Sequence, residues 1–290
     1  MSLPAFELHT PRSVEEATEL LDRHGEDAVL YSGGTELLLV MKLGFGDYGH
    51  LVDVKRIPEL RTLELHDGAL AIGAAVTHRE LERSPLVRER WPALADMERG
   101  VANIRVRTSG SLGGNLCFSD PHSDPATFLL AAEAEVLCRR GGGEARKLPL
   151  REFLRGPFET ALERGELLVS VLVPPLPAGA GMAHRKLAFH ERPAATVSCL
   201  ARLDGERVAE ARVAVGSVGV VPVRCGDAEA LLAGTKVGDE DVLARAAAAA
   251  AAEVRPVEDA NGSVEYKRNL VAVFVGRCFP EAAKRAAAAR

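Results

Sequence analysis

Two loops built on paired glycines, set eighty positions apart, constrain this chain more than any other feature: Leu30-Tyr31-Ser32-Gly33-Gly34-Thr35-Glu36-Leu37 and Gly110-Ser111-Leu112-Gly113-Gly114-Asn115-Leu116. Adjacent glycines admit positive φ and let the backbone come close to a ligand, and each loop adds hydroxyl or amide side chains able to bond a phosphate oxygen. A ligand carrying two phosphates would use both. Neither loop has the G-x-x-x-x-G-K-[ST] of a P-loop or the G-x-G-x-x-G of a dinucleotide fold, so the common nucleotide architectures are disfavoured. Taken singly, a Gly-Gly pair is more often a tight turn than a cradle.

The surrounding pattern is that of a mixed chain. Ser13 is placed to cap a helix through Val14 to Leu21, with Glu16 closing a capping box and Gly25 ending the helix. Ala28 to Tyr31 and Leu51 to Val54 read as buried strands on either side of the first loop, giving a small β-α-β layer. Helices are expected at His78 to Arg83, Pro92 to Arg99 and Pro125 to Glu133, and strands at Glu135 to Cys138 and Leu167 to Val173. Pro174 to Gly181 is the clearest linker. Beyond it, Val197 to Leu203 and Val208 to Val215 form a hairpin through Asp204-Gly205-Glu206-Arg207. Helices follow at Asp227 to Leu232, Asp239 to Glu253 and Val264 to Cys278, the second carrying the alanine tract 246–252.

Composition removes several classes of function. The 290 residues, 47% of them hydrophobic, can bury a sizeable core in about two domains. Charges are interspersed and the net charge is −5, so nucleic acid is not an expected partner. No run approaches the roughly 18 apolar residues of a membrane span, and Met1 to Glu7 lacks a basic and then apolar signal, so a cytoplasmic protein is expected. The five cysteines, Cys117, Cys138, Cys199, Cys225 and Cys278, show no C-x-x-C spacing, so neither an iron–sulfur cluster nor a zinc site is expected in this chain.

The motifs carry a resemblance. Val106-Arg107-Thr108-Ser109-Gly110-Ser111-Leu112-Gly113-Gly114-Asn115-Leu116, continuing to Asp120-Pro121 and Asp124, resembles the V-R-x-x-G-T-[IL]-G-G-N-L-x-x-x-D-P-x-x-D segment of the FAD-binding medium subunit in the xanthine dehydrogenase and carbon monoxide dehydrogenase family of molybdenum hydroxylases. Tyr31 to Leu37 is similar to that family's first FAD loop, A-G-G-x-[ST]-x-L. Further similar segments fall in family order: Leu51 to Leu60, Ile72 to Leu81, Pro222-Val223-Arg224 with Ala230 to Gly234, and Gly262 to Arg268. The similarity spans nearly the whole chain.

The resemblance implies an α+β protein: a PCMH-type FAD-binding domain of two subdomains at residues 1–176, split near residue 57, then a smaller α+β C-terminal domain of the CO dehydrogenase flavoprotein type at 182–290. It assigns Leu30 to Leu37 and Gly110, Ser111, Leu112, Gly113, Gly114 and Asn115 to the two FAD loops, with main-chain N–H groups of both neutralising the pyrophosphate without any lysine. Asp124 takes the place of an acidic residue on the dinucleotide, although by local chemistry alone it reads as a helix N-cap before Pro125. Val101 and Leu168 take apolar positions lining the cofactor, though as isolated apolar residues they read as core. Lys186 takes the place of a cation near the flavin ring, where it would favour the reduced form; a solvated surface lysine is the alternative. His184 stands where an aromatic residue is common. The implied partners are a large molybdopterin-binding subunit and a small [2Fe–2S] subunit, in a dimer of heterotrimers, with FAD handing electrons to an acceptor. Two alternatives stay open: a stand-alone FAD-dependent oxidoreductase, for which no catalytic constellation stands out, and a structural subunit that has lost its flavin.

Overall fold

A computed structural model describes residues 2–289; Met1 and Arg290, which the expected domains and the N-terminal reading include, lie outside the described residues. Ser13 accepts a hydrogen bond from Glu16 N and starts the helix Val14–His24, which Gly25 ends at φ 59°. The Glu16 carboxylate accepts from Arg12 N at 2.7 Å, so the reciprocal half of the box closes one residue earlier than expected. The strands Ala28–Tyr31 and His50–Asp53 pair in parallel, and Glu7–His9 adds to the free side of the second. Parallel neighbours need a crossover, and the short helix Leu37–Lys42 supplies it directly after the first glycine loop.

From residue 63 the pairing turns antiparallel. A five-stranded sheet runs in the order Leu63–His66, Ala69–Gly73, Leu167–Val173, Glu135–Arg139, Arg146–Pro149. Asp67 and Gly68, both at positive φ, make the two-residue hairpin between its first strands, as an Asp-Gly pair favours. Short helices fill the connection between Gly73 and Glu135. His78–Arg83 begins with a complete Thr77/Glu80 capping box, and Pro85–Arg90 and Pro92–Gly100 each begin on a proline. Ile104–Ser109, Leu112–Phe118 and Asp124–Ala131 complete the set. Both sheets contribute to one core, in which Val14 and Val52 pack with Leu70, Leu112, Phe128 and Val171.

The expected linker is shorter than read, because the next strand already begins at Ala180. Its start is fixed by Trp91, the single tryptophan, whose indole N–H donates to Pro174 O at 3.0 Å. The last region is a four-stranded antiparallel sheet, Ala180–Ala188, Pro193–Asp204, Arg207–Gly216 and Val223–Arg224, carrying Gly226–Leu232, Glu240–Glu253 and Val264–Ala288. Strand alternation divides its faces. Ala195, Val197, Cys199 and Ala201 pack into a second core with Phe274, Val275 and Cys278. Leu200 joins the first core, and on the same face Thr196 meets Thr127 of Asp124–Ala131 while Ser198 meets His184 of the neighbouring strand Ala180–Ala188. The final helix continues past Pro280, ten residues beyond the expected end at Cys278, because Ala282, Ala283 and Ala286 are buried against the sheet where Gly181 has no side chain to obstruct them. No described helix is long and apolar enough to cross a membrane.

Candidate functional site

The first glycine loop leaves the carboxyl end of the strand Ala28–Tyr31, the end at which parallel sheets bind ligands. Gly34 takes φ 68°, and a Cβ on Gly33 would collide with Ser109 O, so this glycine lets the first loop lie directly on the chain entering the second. The two loops also touch through Ser32 Oγ and Ser111 Oγ, 2.9 Å apart. Beside them opens a cleft of about 890 Å³ lined by Tyr31, Ser32, Gly33, Lys55, Thr77 and Ser109. The N–H groups of Gly33, Gly34 and Thr35 meet no acceptor among the described residues, a run of three unpaired main-chain donors that begins at the cleft wall with Gly33. Leu30 and Leu37 bracket the loop from strand and helix, and Glu36 turns away to pair with Arg192 at 3.0 Å.

The second loop departs from expectation. Gly110 ends one helix, while Leu112, Gly113, Gly114 and Asn115 are the opening turn of the next, capped by the Ser111 hydroxyl. Leu112 N donates to Val76 O and Gly113 N to Ala74 O, each at 3.0 Å, and Gly114 N donates to Ser111 Oγ at 3.1 Å. These amides hold the fold together and are not free for phosphate, which corrects the symmetrical cradle expected from sequence. Gly113 is packed so tightly that a Cβ would lie 2.5 Å from Ala74 Cβ, whereas Gly114 is exposed and a Cβ there would meet only Ser111 Oγ at 3.0 Å. Asn115 accepts from Ser123 Oγ at 2.6 Å, which leaves its amide donors free and ties the loop to the helix Asp124–Ala131.

A lysine that the sequence expectation left out stands beside this loop. Lys55 Nζ lies 3.0 Å from Ser32 O and 3.8 Å from the centre of the Tyr31 ring, at the rim of the cleft. Sequence reasoning passed over it, although it sits two residues past the end of the strand His50–Asp53 beside the glycine loop, where the ligand-at-strand-end rule would have found it.

A second group forms where the two cores meet. Asp124, 4% exposed, does not cap its helix; Ser123 does, accepting from Ala126 N, and Asp124 is the first helical residue. Its carboxylate accepts from Lys186 Nζ at 2.7 Å and lies 3.2 Å from His184 Nε2, while His184 Nδ1 lies 2.8 Å from Ser198 Oγ. Lys186 is therefore paired, not a solvated surface lysine, and Asp124 already has two partners from the other sheet. A Cβ on Gly100 would lie 3.9 Å from Lys186 Cε, which places Lys186 beside the turn at Val101. Val101 and Leu168 are buried in the first core and neither lines the cleft. Cys117 packs on that same core, and burial pushes its thiol up to about 12, which disfavours the reactive thiolate.

Behind the cleft, buried Glu82 accepts from Arg79 at 2.6 Å and from Arg107 at 3.1 Å. Burial pushes its carboxyl up, but the two guanidiniums outweigh this and hold it below its ordinary 4.5. Because the folded value is the lower one, the stability it contributes is complete above about 4.5 and is lost as pH falls through the folded value. Glu82→Gln is expected to cost about 1–3 kcal/mol at neutral pH. The acid limb of the urea midpoint against pH should also flatten, and a curve parallel to the parent would remove Glu82 from that role.

Comparisons with known proteins bear on the family and the fold. Residues 4–176 match the model described as the FAD binding domain in molybdopterin dehydrogenase, and residues 185–282 match the CO dehydrogenase flavoprotein C-terminal domain. The chain is 36% identical over 286 residues to the carbon monoxide dehydrogenase medium chain of Hydrogenophaga pseudoflava, covering 98% of this chain and 99% of that one. It is 32% identical over 289 residues to the 6-hydroxypseudooxynicotine dehydrogenase complex subunit alpha of Paenarthrobacter nicotinovorans, covering 99% and 97%. Among solved structures, quinoline 2-oxidoreductase from Pseudomonas putida 86 superposes with a TM-score of 0.93 at 28% identity, covering 99% of each chain.

Proposed function

The chain belongs to the family of FAD-binding medium subunits of molybdenum hydroxylases, and from that premise we propose how its residues hold the flavin and which subunits it serves. It is an oxidoreductase subunit with FAD as cofactor, built as an α+β FAD-binding domain followed by a CO dehydrogenase flavoprotein C-terminal domain. Bound FAD supplies reversible electron transfer between iron–sulfur donors and an external acceptor. The observation that carries the reading is the run of unpaired N–H groups at Gly33, Gly34 and Thr35, beginning at the wall of a cleft that Gly33 and Lys55 both line. These donors fit the two negative charges of a pyrophosphate. Ser32, Ser111 and the Asn115 amide stand beside them, and exposed Gly114 leaves the approach open. Asp124 holds the Lys186 ammonium in place, and we assign that cation to the flavin end of the site, with Val101 and Leu168 supporting it from the core.

In this proposal FAD sits in the domain comprising residues 1–176, whose parallel and antiparallel sheets are the two subdomains divided near residue 57, and residues 182–290 form the second domain. The relatives are medium subunits of multi-subunit enzymes. The finer proposal is a large molybdopterin-binding subunit and a small [2Fe–2S] subunit, assembled as a dimer of heterotrimers in the cytoplasm. The purified chain is expected to carry one FAD and to accept electrons only weakly from artificial donors. Oxidation of an organic substrate should require both partner subunits. Turnover by the isolated chain would instead make it a stand-alone oxidoreductase, and a colourless chain that takes up no added FAD would make it a structural subunit.

A further inference from the structure

Three imidazoles converge on the small parallel sheet in a place the flavin reading leaves unused. His9 ends the strand Glu7–His9, His50 begins His50–Asp53, and His24 is the last residue of the helix Val14–His24. The parallel register sets Glu7 opposite His50, so Glu7, His9 and His50 share one face of the sheet. His24 closes over that face: its ring centre lies 3.7 Å from that of His50 and 5.3 Å from that of His9. His9 Nε2 and His50 Nδ1 are 3.0 Å apart, and one nitrogen from each of the three rings falls within 4.8 Å of the others. Bonds of about 2.0–2.1 Å to a tetrahedral ion require nitrogens about 3.3 Å apart, a spacing that small side-chain rotations reach from here.

The surroundings suit a cation. Glu7 places one carboxylate oxygen 3.8 Å from His9 Nδ1 and the other 3.8 Å from His50 Nδ1, and Asp27 lies 3.8 Å from His50 Nε2. Neutral imidazole is the form that binds metal. Three nitrogen ligands with flanking carboxylates select a borderline ion such as Zn²⁺ over Mg²⁺ or Ca²⁺, which take oxygen ligands.

We propose that His9, His24 and His50 form a binding site for one divalent transition ion of the zinc class, with Glu7 or water as fourth ligand. The ion would clasp strand, helix end and second strand together across gaps of 15 and 26 residues. The site is separate from the cofactor loops. His50 pairs with Ala28 at the start of the strand whose far end, Tyr31, leads into the first glycine loop, about 10 Å of strand away. The cysteine spacing used in reading the sequence could not reveal it.

The test uses the full-length, tag-free flavin-loaded chain, stripped with a chelator and titrated calorimetrically with Zn²⁺ and, separately, Mg²⁺. One saturable Zn²⁺ site per chain is expected, with a melting temperature that rises with Zn²⁺ and no response to Mg²⁺. His24→Ala and His9→Asn should each weaken Zn²⁺ by more than the roughly 10- to 100-fold that loss of an outer-shell partner costs, with FAD content unchanged. Their far-ultraviolet circular dichroism should match the parent. The proposal is overturned by the absence of a 1:1 Zn²⁺ isotherm, by an equal response to Mg²⁺, or by Zn²⁺ affinity that survives both substitutions in folded protein.

Discussion

Gly113→Val is expected to abolish the folded protein, while Gly114→Val, one residue away, is expected to fold and lose flavin. At Gly113 an added Cβ would press on Ala74 Cβ at 2.5 Å, Ala74 O at 2.6 Å and Ala74 Cα at 2.7 Å, and Ala74 has no flexible side chain to move aside. Overpacking of this kind costs about 3 kcal/mol or more, a large part of the stability of an ordinary domain. The same shift would break the bond from Gly113 N to Ala74 O that anchors the helix Leu112–Phe118 to the antiparallel sheet. At Gly114 a Cβ would meet only the Ser111 hydroxyl, and removing a helical glycine is itself favourable. Stability is therefore expected to change by less than about 1 kcal/mol, whereas on the proposed site a branched side chain at this exposed turn should weaken FAD on the order of tenfold or more. Urea unfolding and equilibrium dialysis separate the two results. A folded, flavin-replete Gly113→Val would show that Ala74 does not constrain this turn, and Gly114→Val at parent affinity would take Gly114 out of the site.

Asp124→Ala is expected to cost about 3–5 kcal/mol, because it strands the Lys186 ammonium and the His184 ring at the junction of the two cores. Lys186, whose side chain is 21% exposed, can relieve part of that by reaching water, so the lower end of the range is expected. Lys186→Met leaves the buried carboxylate with only His184 and should be destabilising too, but the double variant Asp124→Ala/Lys186→Met should recover much of the loss. The coupling read from such a cycle is expected to exceed about 1 kcal/mol, as for groups in one network. FAD retention should follow the same non-additive pattern, since neither side chain acts alone. Additive losses in stability and in FAD affinity would mean that the 2.7 Å contact does not govern either property.

Local chemistry made much of the fold legible in the sequence. The Ser13 cap, the Gly25 stop, the strand Leu167–Val173 and the Asp204-to-Arg207 hairpin each depend on a few neighbouring residues, and each lies where its chemistry puts it. Six residues carry little periodicity, and Pro85–Arg90 and Ile104–Ser109 went unread although His78–Arg83, equally short, was expected. The extension of the last helix past Pro280 was hidden for a different reason: it depends on Gly181, a hundred residues away, which no local pattern connects to it. The site shows the same division. Gly33, Gly34 and Thr35 are where a glycine loop after a strand should present free amides. The resemblance could not show that Ser111 accepts from Gly114 N, or that Asp124, His184 and Lys186 form one network. Those are facts of tertiary pairing. The three histidines were invisible for the same reason, being far apart in the chain and adjacent only after the parallel sheet has set its register.

The bond from Trp91 to Pro174 makes the chain its own optical gauge. With a single indole, emission has one source, and that source is 3% exposed with its N–H engaged by the first residue of the connection between the two cores. Release of that connection would free the indole N–H and admit water beside the ring, shifting emission to the red before either core melts. Subunit docking that grips the same segment would shift it the other way, so assembly can be followed on unlabelled protein, in a band distinct from the visible absorption of flavin.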